Sequence, residues 1–275
     1  MSITLILFPF ILGAIVGSFL NVVILRWNTG QSIFGPRERS CCFSCRKQLV
    51  WWELVPIVSF FILRGRCSTC KSKISWQYPA VEFCTGVVFA FLMFRFPFSP
   101  LSFIYAACVA SVLIVITFYD LKHKIIPNFF VYVFIVLAAM PLVFSGQPVA
   151  ELMMSFDTLA GPIFYACFAL LWLVSRGTWI GFGDAKLVLG IGLLLGLAHG
   201  LSALVLAFWI GAVVSIALVL FRTLVQKNIV PVTRLPLALQ HLTMKSEVPF
   251  APFLILGTAI AFFYHVDIFG IGLLF

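Results

Sequence analysis

The chain alternates long apolar runs with short polar connections, and one polar segment is long. Eight apolar runs approach the length needed to cross roughly 30 Å of hydrocarbon. In lipid only a helix satisfies every backbone group within one such segment, and the alternating pattern of a barrel strand is absent. The sequence therefore predicts an all-α polytopic membrane protein with about eight transmembrane helices. The runs cover residues 2–25, 80–96, 101–119, 129–145, 157–175, 185–199, 201–221 and 249–268.

Composition and charge placement refine this picture. The chain is 63% hydrophobic and 10% charged, whereas about a quarter of the residues in a soluble domain are charged. The first run is longer than the apolar region of a signal peptide, and its first basic residue, Arg26, comes after it, so it is interpreted as a retained span.

The basic residues predict the orientation in the membrane. All of them except Arg95 fall in segments 26–79, 120–128, 176–186 and 222–248. Basic residues in short loops favour the cytoplasmic side, which places the N-terminus in the periplasm and the long polar segment in the cytoplasm. Because the charges are spread over several loops, a nucleic-acid surface is disfavoured.

The long polar segment, residues 26–79, predicts a small zinc-knuckle domain. It carries two C-x-x-C pairs about twenty residues apart, the pattern of a four-thiolate zinc site. A segment of this size buries little core, so the metal is expected to be structural; free thiols are the alternative. The stretch 51–63 is interpreted as interfacial or re-entrant, or as the core of this domain. The predicted zinc ligands are Cys42, Cys45, Cys67 and Cys70.

These boundaries give three predicted parts. Residues 1–25 form the first transmembrane helix, residues 26–79 the zinc-knuckle domain, and residues 80–275 a core of seven membrane helices.

Two acids lie at the ends of apolar runs on the same predicted side of the membrane. Asp120 ends one run, and Asp184 begins another within Gly181-Phe182-Gly183-Asp184. Carboxylates beside hydrocarbon are costly and usually functional. Two neighbouring carboxylates can share one proton, so that one takes a proton from water and the other donates to a scissile carbonyl, with no metal required. The sequence thus predicts an aspartyl protease in which Gly181 and Gly183 let an extended peptide approach.

Other interpretations of the two acids remain open on residue chemistry alone. A proton-coupled transporter also uses intramembrane acids and is favoured about equally with proteolysis. Each aspartate could instead cap a helix or pair with Lys122 or Lys186. A scaffold role would make both carboxylates dispensable.

Several short motifs, taken in order, resemble the bacterial type IV prepilin peptidases over most of the chain. Each is weak alone, but their order and spacing are specific. The matching segments are 17–23 followed by Arg26, the two C-x-x-C pairs, Trp51-Trp52-Glu53 with Pro56, Arg64-Gly65-Arg66-Cys67, 78–82, Asp120 with Ile126-Pro127-Asn128, the Gly-x-Gly-Asp at 181–184, and 249–253.

The resemblance implies an inner-membrane enzyme with two activities. It would cut the basic leader from type IV prepilins or type II secretion pseudopilins at the cytoplasmic face, after a glycine. It would then methylate the new N-terminal residue, usually phenylalanine, with S-adenosylmethionine as methyl donor. A protease that lacks methyl transfer is the alternative within this fold, and a homodimer is left open.

The resemblance also links the knuckle region to methyl transfer. Gly65 and Arg66 match family positions associated with that activity. Charge complementarity adds the hypothesis that Glu53 or Glu82 contacts the basic leader or the new α-amino group.

Overall fold

The computed structural model describes residues 4–29, 40–144, 155–226 and 249–270, and within them each of the eight predicted apolar runs overlaps a helix. The predicted all-α membrane class is confirmed. A short 3₁₀ helix, Trp51–Leu54, lies in the long polar segment. The α-helices are α1 (Thr4–Arg26), α2 (Val58–Ile62), α3 (Gln77–Arg95), α4 (Pro100–His123), α5 (Asn128–Phe144), α6 (Phe156–Ser175), α7 (Phe182–Gln226) and α8 (Ala251–Tyr264).

Among the described residues, five helices are long and apolar enough to cross a membrane: α1, α3, α4, α6 and α7. The helices α5 and α8 are apolar but shorter. Helix α7 carries two of the predicted runs. Its backbone is broken at Gly196, where φ is 71° and ψ is −171°. The chain is therefore a multi-pass membrane protein.

The break in α7 is built from a glycine and an acid on the preceding helix. A positive φ is accessible to glycine at little cost, and a Cβ at Gly196 would collide with the carboxylate of Asp157. That carboxylate accepts a hydrogen bond from the backbone N–H of Leu197 at 3.1 Å. Asp157 thus caps the later part of α7, as a side chain at a helix N-terminus does.

The chain divides into two compact units, residues 1–118 and 119–275. In the first unit, α1 packs against α3 through small residues. A Cβ on Gly17 would lie 2.8 Å from the Cα of Glu82, and one on Gly13 would lie 2.9 Å from the Cα of Gly86. This spacing of two glycines on α1 is the small-residue pattern that lets membrane helices approach closely.

In the second unit, α7 packs against α5, α6 and α8. Its contact with α6 is nearly backbone to backbone, since a Cβ on Gly192 would lie 2.6 Å from the Cα of Gly161. A Cβ on Gly257 of α8 would lie 2.9 Å from the backbone nitrogen of Ala207. These close contacts fix α7, and with it the position of Asp184 near its first turn.

Candidate active site and cysteine cluster

The two predicted acids lie together in the second unit. Asp120 is in the last turn of α4 and is 4% exposed, while Asp184 is the third residue of α7 and is 7% exposed. Their carboxyl groups are close enough to interact electrostatically. The structure therefore brings together two buried carboxyls that are separated by more than sixty residues in the sequence.

The Gly-x-Gly-Asp segment shapes the start of α7 around Asp184. The backbone N–H of Gly181, which immediately precedes α7, donates to Asp184 Oδ2 at 3.2 Å. An acidic third residue that reaches back in this way forms half of a capping box. The other oxygen, Oδ1, is buried and has no hydrogen-bond partner among the described residues. Buried polar atoms are rarely left in this state, so Oδ1 is available to a proton or a substrate.

Asp120 is held by the start of α8. The backbone N–H of Ala251, the first residue of α8, donates a hydrogen bond to its carboxyl group. The first N–H groups of a helix have no partner within the helix, and they carry the positive end of its dipole. The segment 249–253 was interpreted from sequence only through its resemblance to a family motif.

Gly183 lets the loop that follows Asp120 pack against α7. A Cβ at this position would lie 3.0 Å from the Cβ of Ile126, which belongs to the α4–α5 connection. A Cβ at Gly181 would lie 3.2 Å from Asp184 Oδ2. Both glycines are predicted to admit a peptide substrate. Within the chain they also have close neighbours: Gly183 lies against the loop after Asp120, and Gly181 lies against the Asp184 carboxyl group.

We expect Gly183→Ala to lower proteolytic activity by about tenfold, because overpacking costs about 1–3 kcal/mol and here it pushes Ile126 away. The rate of prepilin cleavage by the purified variant measures this effect. Gly183→Ala combined with Ile126→Ala should recover most of the activity, since the second change removes the clash. If the double variant cleaves no faster than expected from the two single variants combined, the clash with Ile126 is not the cause of the lost activity.

Lys186, the basic residue nearest to Asp184 in sequence, has other partners. Its Nζ donates to Asn128 Oδ1 at 2.9 Å and lies 5.0 Å from the centre of the Phe182 ring. This contact joins the start of α5 to the start of α7. His123, at the end of α4, stacks at 4.5 Å on the ring of Tyr119.

The four predicted zinc ligands form one cluster in the first unit. The sulfurs of Cys42, Cys45, Cys67 and Cys70 all lie within 4.8 Å of one another. The Sγ atoms of Cys42 and Cys70 are 3.8 Å apart. A tetrahedral zinc ion with bonds of about 2.3 Å places its sulfurs about 3.8 Å apart. Cys41, the neighbouring thiol, is exposed and lies outside the cluster.

Two matching turns present these sulfurs. In the first, the N–H of Cys42 donates to the carbonyl of Lys47; in the second, the N–H of Cys67 donates to the carbonyl of Ser72, at 3.0 and 2.9 Å. Hydrogen bonds from the backbone of Cys45 and Ser44 lower the pKa of the Cys42 thiol to about 6. A hydrogen bond from the backbone of Lys47 lowers the pKa of Cys45, but desolvation and the neighbouring sulfurs outweigh it and raise that pKa to about 11. Four cysteine sulfurs within 4.8 Å of one another are the donor set of a structural zinc site, so the residues present fit zinc.

Glu53 is buried inside the knuckle region. Its Oε1 lies 3.1 Å from Lys47 Nζ and accepts a hydrogen bond from the Ser68 hydroxyl, while its Oε2 accepts the N–H of Val50 at 3.0 Å. Its side chain is 1% exposed. These contacts join the two knuckles, and the predicted contact of Glu53 with substrate stays a prediction.

The other methyl-transfer candidates also belong to the first unit. Glu82 is buried and accepts the N–H of Ile57 at 2.7 Å. Gly65 has φ of 64°, and a Cβ there would lie 3.1 Å from the ring of Phe60. Arg66 is exposed. The role of these three residues in methyl transfer likewise stays a prediction.

We expect Glu53→Gln to loosen the knuckle region at neutral pH. The Ser68 hydroxyl, followed by the Val50 N–H, lowers the pKa of Glu53, so the ionised form stabilises the fold above the unfolded pKa of about 4.3. Loss of a hydrogen bond to a charged group should raise the equilibrium constant for local opening by about tenfold. Amide hydrogen exchange in residues 40–76 measures it.

The pH dependence provides the control for this variant. The difference in amide exchange rate between Glu53→Gln and the unaltered protein should be largest at pH 7. It should shrink as the pH falls below about 4, where the carboxylate of the unaltered protein also takes up a proton. Equal exchange rates at pH 7 would show that the carboxylate contributes nothing to the knuckle.

Comparison with known proteins defines the class of this membrane protein. Residues 11–96 match the description "Bacterial Peptidase A24 N-terminal domain", and residues 107–216 match "Type IV leader peptidase family". Several relatives carry the name "Prepilin leader peptidase/N-methyltransferase". The protein from Bacillus subtilis (strain 168) is 32% identical over 259 residues, which covers 93% of this chain and 92% of that protein.

Two further relatives carry the same name. The protein from Neisseria gonorrhoeae is 30% identical over 68% of this chain and 73% of that protein. The protein from Myxococcus xanthus (strain DK1622) is 36% identical over 78% of this chain, but the match spans only 63% of that longer protein. No solved structure matches the chain significantly. The chain belongs to the type IV leader peptidase family, which confirms the family and the enzyme class predicted from its motifs.

Proposed function

We propose that this chain cleaves the leader peptide of prepilins with Asp120 and Asp184 as the catalytic pair, and then methylates the new N-terminal amino group. One observation carries the proteolytic part: two buried carboxyls interact within one unit, and Asp184 Oδ1 has no partner among the described residues. A structural acid would be expected to use both oxygens in hydrogen bonds or an ion pair.

The proposed reaction needs only one proton shared by the two acids. Asp120 takes a proton from water as the water oxygen bonds to the carbonyl carbon of the scissile bond, while Asp184, protonated at Oδ1, donates its proton to the carbonyl oxygen. In the resulting tetrahedral intermediate, Asp120 passes its new proton to the nitrogen and the C–N bond breaks. The C=O bond re-forms as a hydroxyl proton returns to Asp184. The products are a leader that ends in a carboxyl group and a pilin with a free amine. This mechanism uses no metal.

Substrate and location follow from the same reasoning. The basic residues favour a periplasmic N-terminus and a cytoplasmic location for residues 26–79, 120–128 and 176–186. Asp120 and Asp184 then lie at the cytoplasmic face of the bacterial inner membrane. A substrate with a basic leader and an apolar helix, either a prepilin or a pseudopilin of type II secretion, would keep its helix in the bilayer with its cleavage site at that face.

The first unit is proposed to serve methyl transfer. The relatives' names include N-methyltransferase activity, for which S-adenosylmethionine would supply the methyl group. The four clustered cysteines would hold a structural zinc that fixes the two knuckle turns. Gly65, Arg66, Glu53 and Glu82 are the residues proposed to support this reaction.

The decisive experiment incubates the purified protein with a purified prepilin, with and without S-adenosylmethionine, and weighs the products. We expect loss of the leader in both samples and one added methyl group only when the donor is present. Cleavage without methylation would restrict the enzyme to proteolysis. An intact prepilin in both samples, with proton-coupled uptake of a solute by vesicles carrying the protein, would replace the proposal with a transporter.

A further inference from the structure

The second unit contains an open aromatic pocket that takes no part in the proposed proton transfers. It lies where the later part of α7 meets the start of α8 and has a volume of about 260 Å³. Pockets for drug-sized ligands begin at about 300 Å³, so this one suits a side chain rather than a free cofactor. Its lining consists of Phe208, Gly211, Ala212, Ser215, Phe250 and Phe253.

The pocket is connected to the candidate catalytic pair through one peptide bond. Phe250, which forms part of its wall, immediately precedes Ala251, whose N–H donates to Asp120. Consecutive Cα atoms are about 3.8 Å apart, and an extended peptide advances about 3.3–3.6 Å per residue. A peptide whose scissile carbonyl lies at Asp120 therefore has its neighbouring side chains within reach of the pocket.

The chemistry of the lining selects one side of the cleavage site. None of the six lining residues is charged, and Ser215 supplies the one hydroxyl. The rings of Phe208 and Phe250 face the space with centroids 5.0 Å apart. A basic leader would lose its hydration there without acceptors in return, whereas an apolar side chain has no charge to desolvate and can pack against the two rings.

A missing side chain keeps the pocket open. A Cβ on Gly211 would lie 3.3 Å from Phe253 Cδ2, so any larger residue at this position would project into the space between α7 and α8. Gly211 is itself buried, which separates it from the lipid-facing residues of the same helix.

We propose that this aromatic pocket binds an apolar side chain from the first turn of the substrate helix, on the side of the scissile bond that becomes the mature pilin. This inference rests on the proposed function, since it assumes a substrate with a basic leader and an apolar helix. Occupying the pocket sets the register of the chain, and hence which peptide bond lies at the two acids.

The test compares Gly211→Leu with Val213→Leu, a matched change on α7 at a residue that is 67% exposed. Prepilin variants carry Phe, Leu, Ala or Lys, one at a time, at each of the four positions after the cleavage site. For the unaltered protein we expect one position where kcat/KM for Phe or Leu exceeds that for Ala by at least about tenfold. Gly211→Leu should abolish that preference, so that the Phe and Leu substrates are cleaved no faster than the Ala substrate. Val213→Leu should leave the preference intact.

Several results would overturn this inference. One is an equal kcat/KM for all substrates at all four positions, as expected if only lipid chains occupy the pocket. Another is a higher kcat/KM for Lys than for Phe or Leu. The third is an equal loss of kcat/KM on every substrate in Gly211→Leu. Should Gly211→Leu fail to fold, Ser215→Leu makes the same comparison. Cleavage by the unaltered protein but not by Asp120→Asn would uphold the proposed function even when the pocket fails. No cleavage by the unaltered protein would overturn both.

Discussion

Asp120→Asn and Asp184→Asn are each expected to lower the rate of prepilin cleavage by at least about 10³-fold. Each amide keeps the shape of the side chain but can neither take a proton from water nor hold the shared proton. Acid–base catalysis is worth about 10²–10⁴-fold per group, and groups that act as a unit lose most of their effect together. The double variant should therefore be little slower than either single one. Leader release measured by mass spectrometry tests this expectation.

The chain offers a matched control for these two substitutions. Asp157 is also a membrane acid of the second unit, but its carboxylate caps the later part of α7 by accepting the N–H of Leu197. Asparagine caps helices about as well as aspartate, so Asp157→Asn should cleave within about threefold of the unaltered rate. Cleavage at the unaltered rate in either Asp120→Asn or Asp184→Asn would remove that residue from the chemistry.

Cys67→Ser is expected to release zinc and to lower methyl transfer far more than cleavage. Cys67 is the buried member of the cysteine cluster, and binding of a structural zinc contributes about 10 kcal/mol or more to folding in small domains. Changes in the residues that merely support zinc ligands weaken affinity about 10–100-fold, so loss of a ligand should weaken it by at least about 100-fold. Zinc content and methylation of a pre-cleaved pilin measure the two effects.

Cys41→Ser provides the comparison, because this exposed thiol is adjacent in sequence to Cys42 but lies outside the cluster. It should keep full zinc content and both activities. Full zinc content in Cys67→Ser, or a loss in Cys41→Ser as large as in Cys67→Ser, would contradict the assignment of the four ligands.

The helices could be predicted from sequence because the bilayer leaves few choices. Each apolar run must become a helix, so the limits of α3, α4 and α6 follow closely from the pattern of residues. The break in α7 was expected near residue 200 but lies at Gly196. Nothing local separates Gly196 from the other glycines of α7, since the break depends on the carboxylate of Asp157 on another helix.

The candidate site was predictable in part, because a charged side chain is conspicuous in a sequence suited to the bilayer. Charge in an apolar sequence marks Asp120 and Asp184, and the basic loops place them on one side. The N–H of Ala251 could not be predicted, because a backbone donor has no signature in side-chain chemistry. Likewise, His199 and His265 have no ligand-like spacing in sequence, yet their rings lie 5.6 Å apart because α7 and α8 pack together.

Three helical segments of the second unit are short for a lipid bilayer over their described residues. At about 1.5 Å per residue, α8 with 14 residues and residues 182–195 of α7 each extend about 21 Å, and α5 with 17 residues about 25 Å. The hydrocarbon layer is about 30 Å thick. Hydrophobic mismatch of this size makes lipids thin around a protein. We expect such thinning to bring water and headgroups toward the carboxyls, so that water can reach a substrate whose helix stays in the membrane.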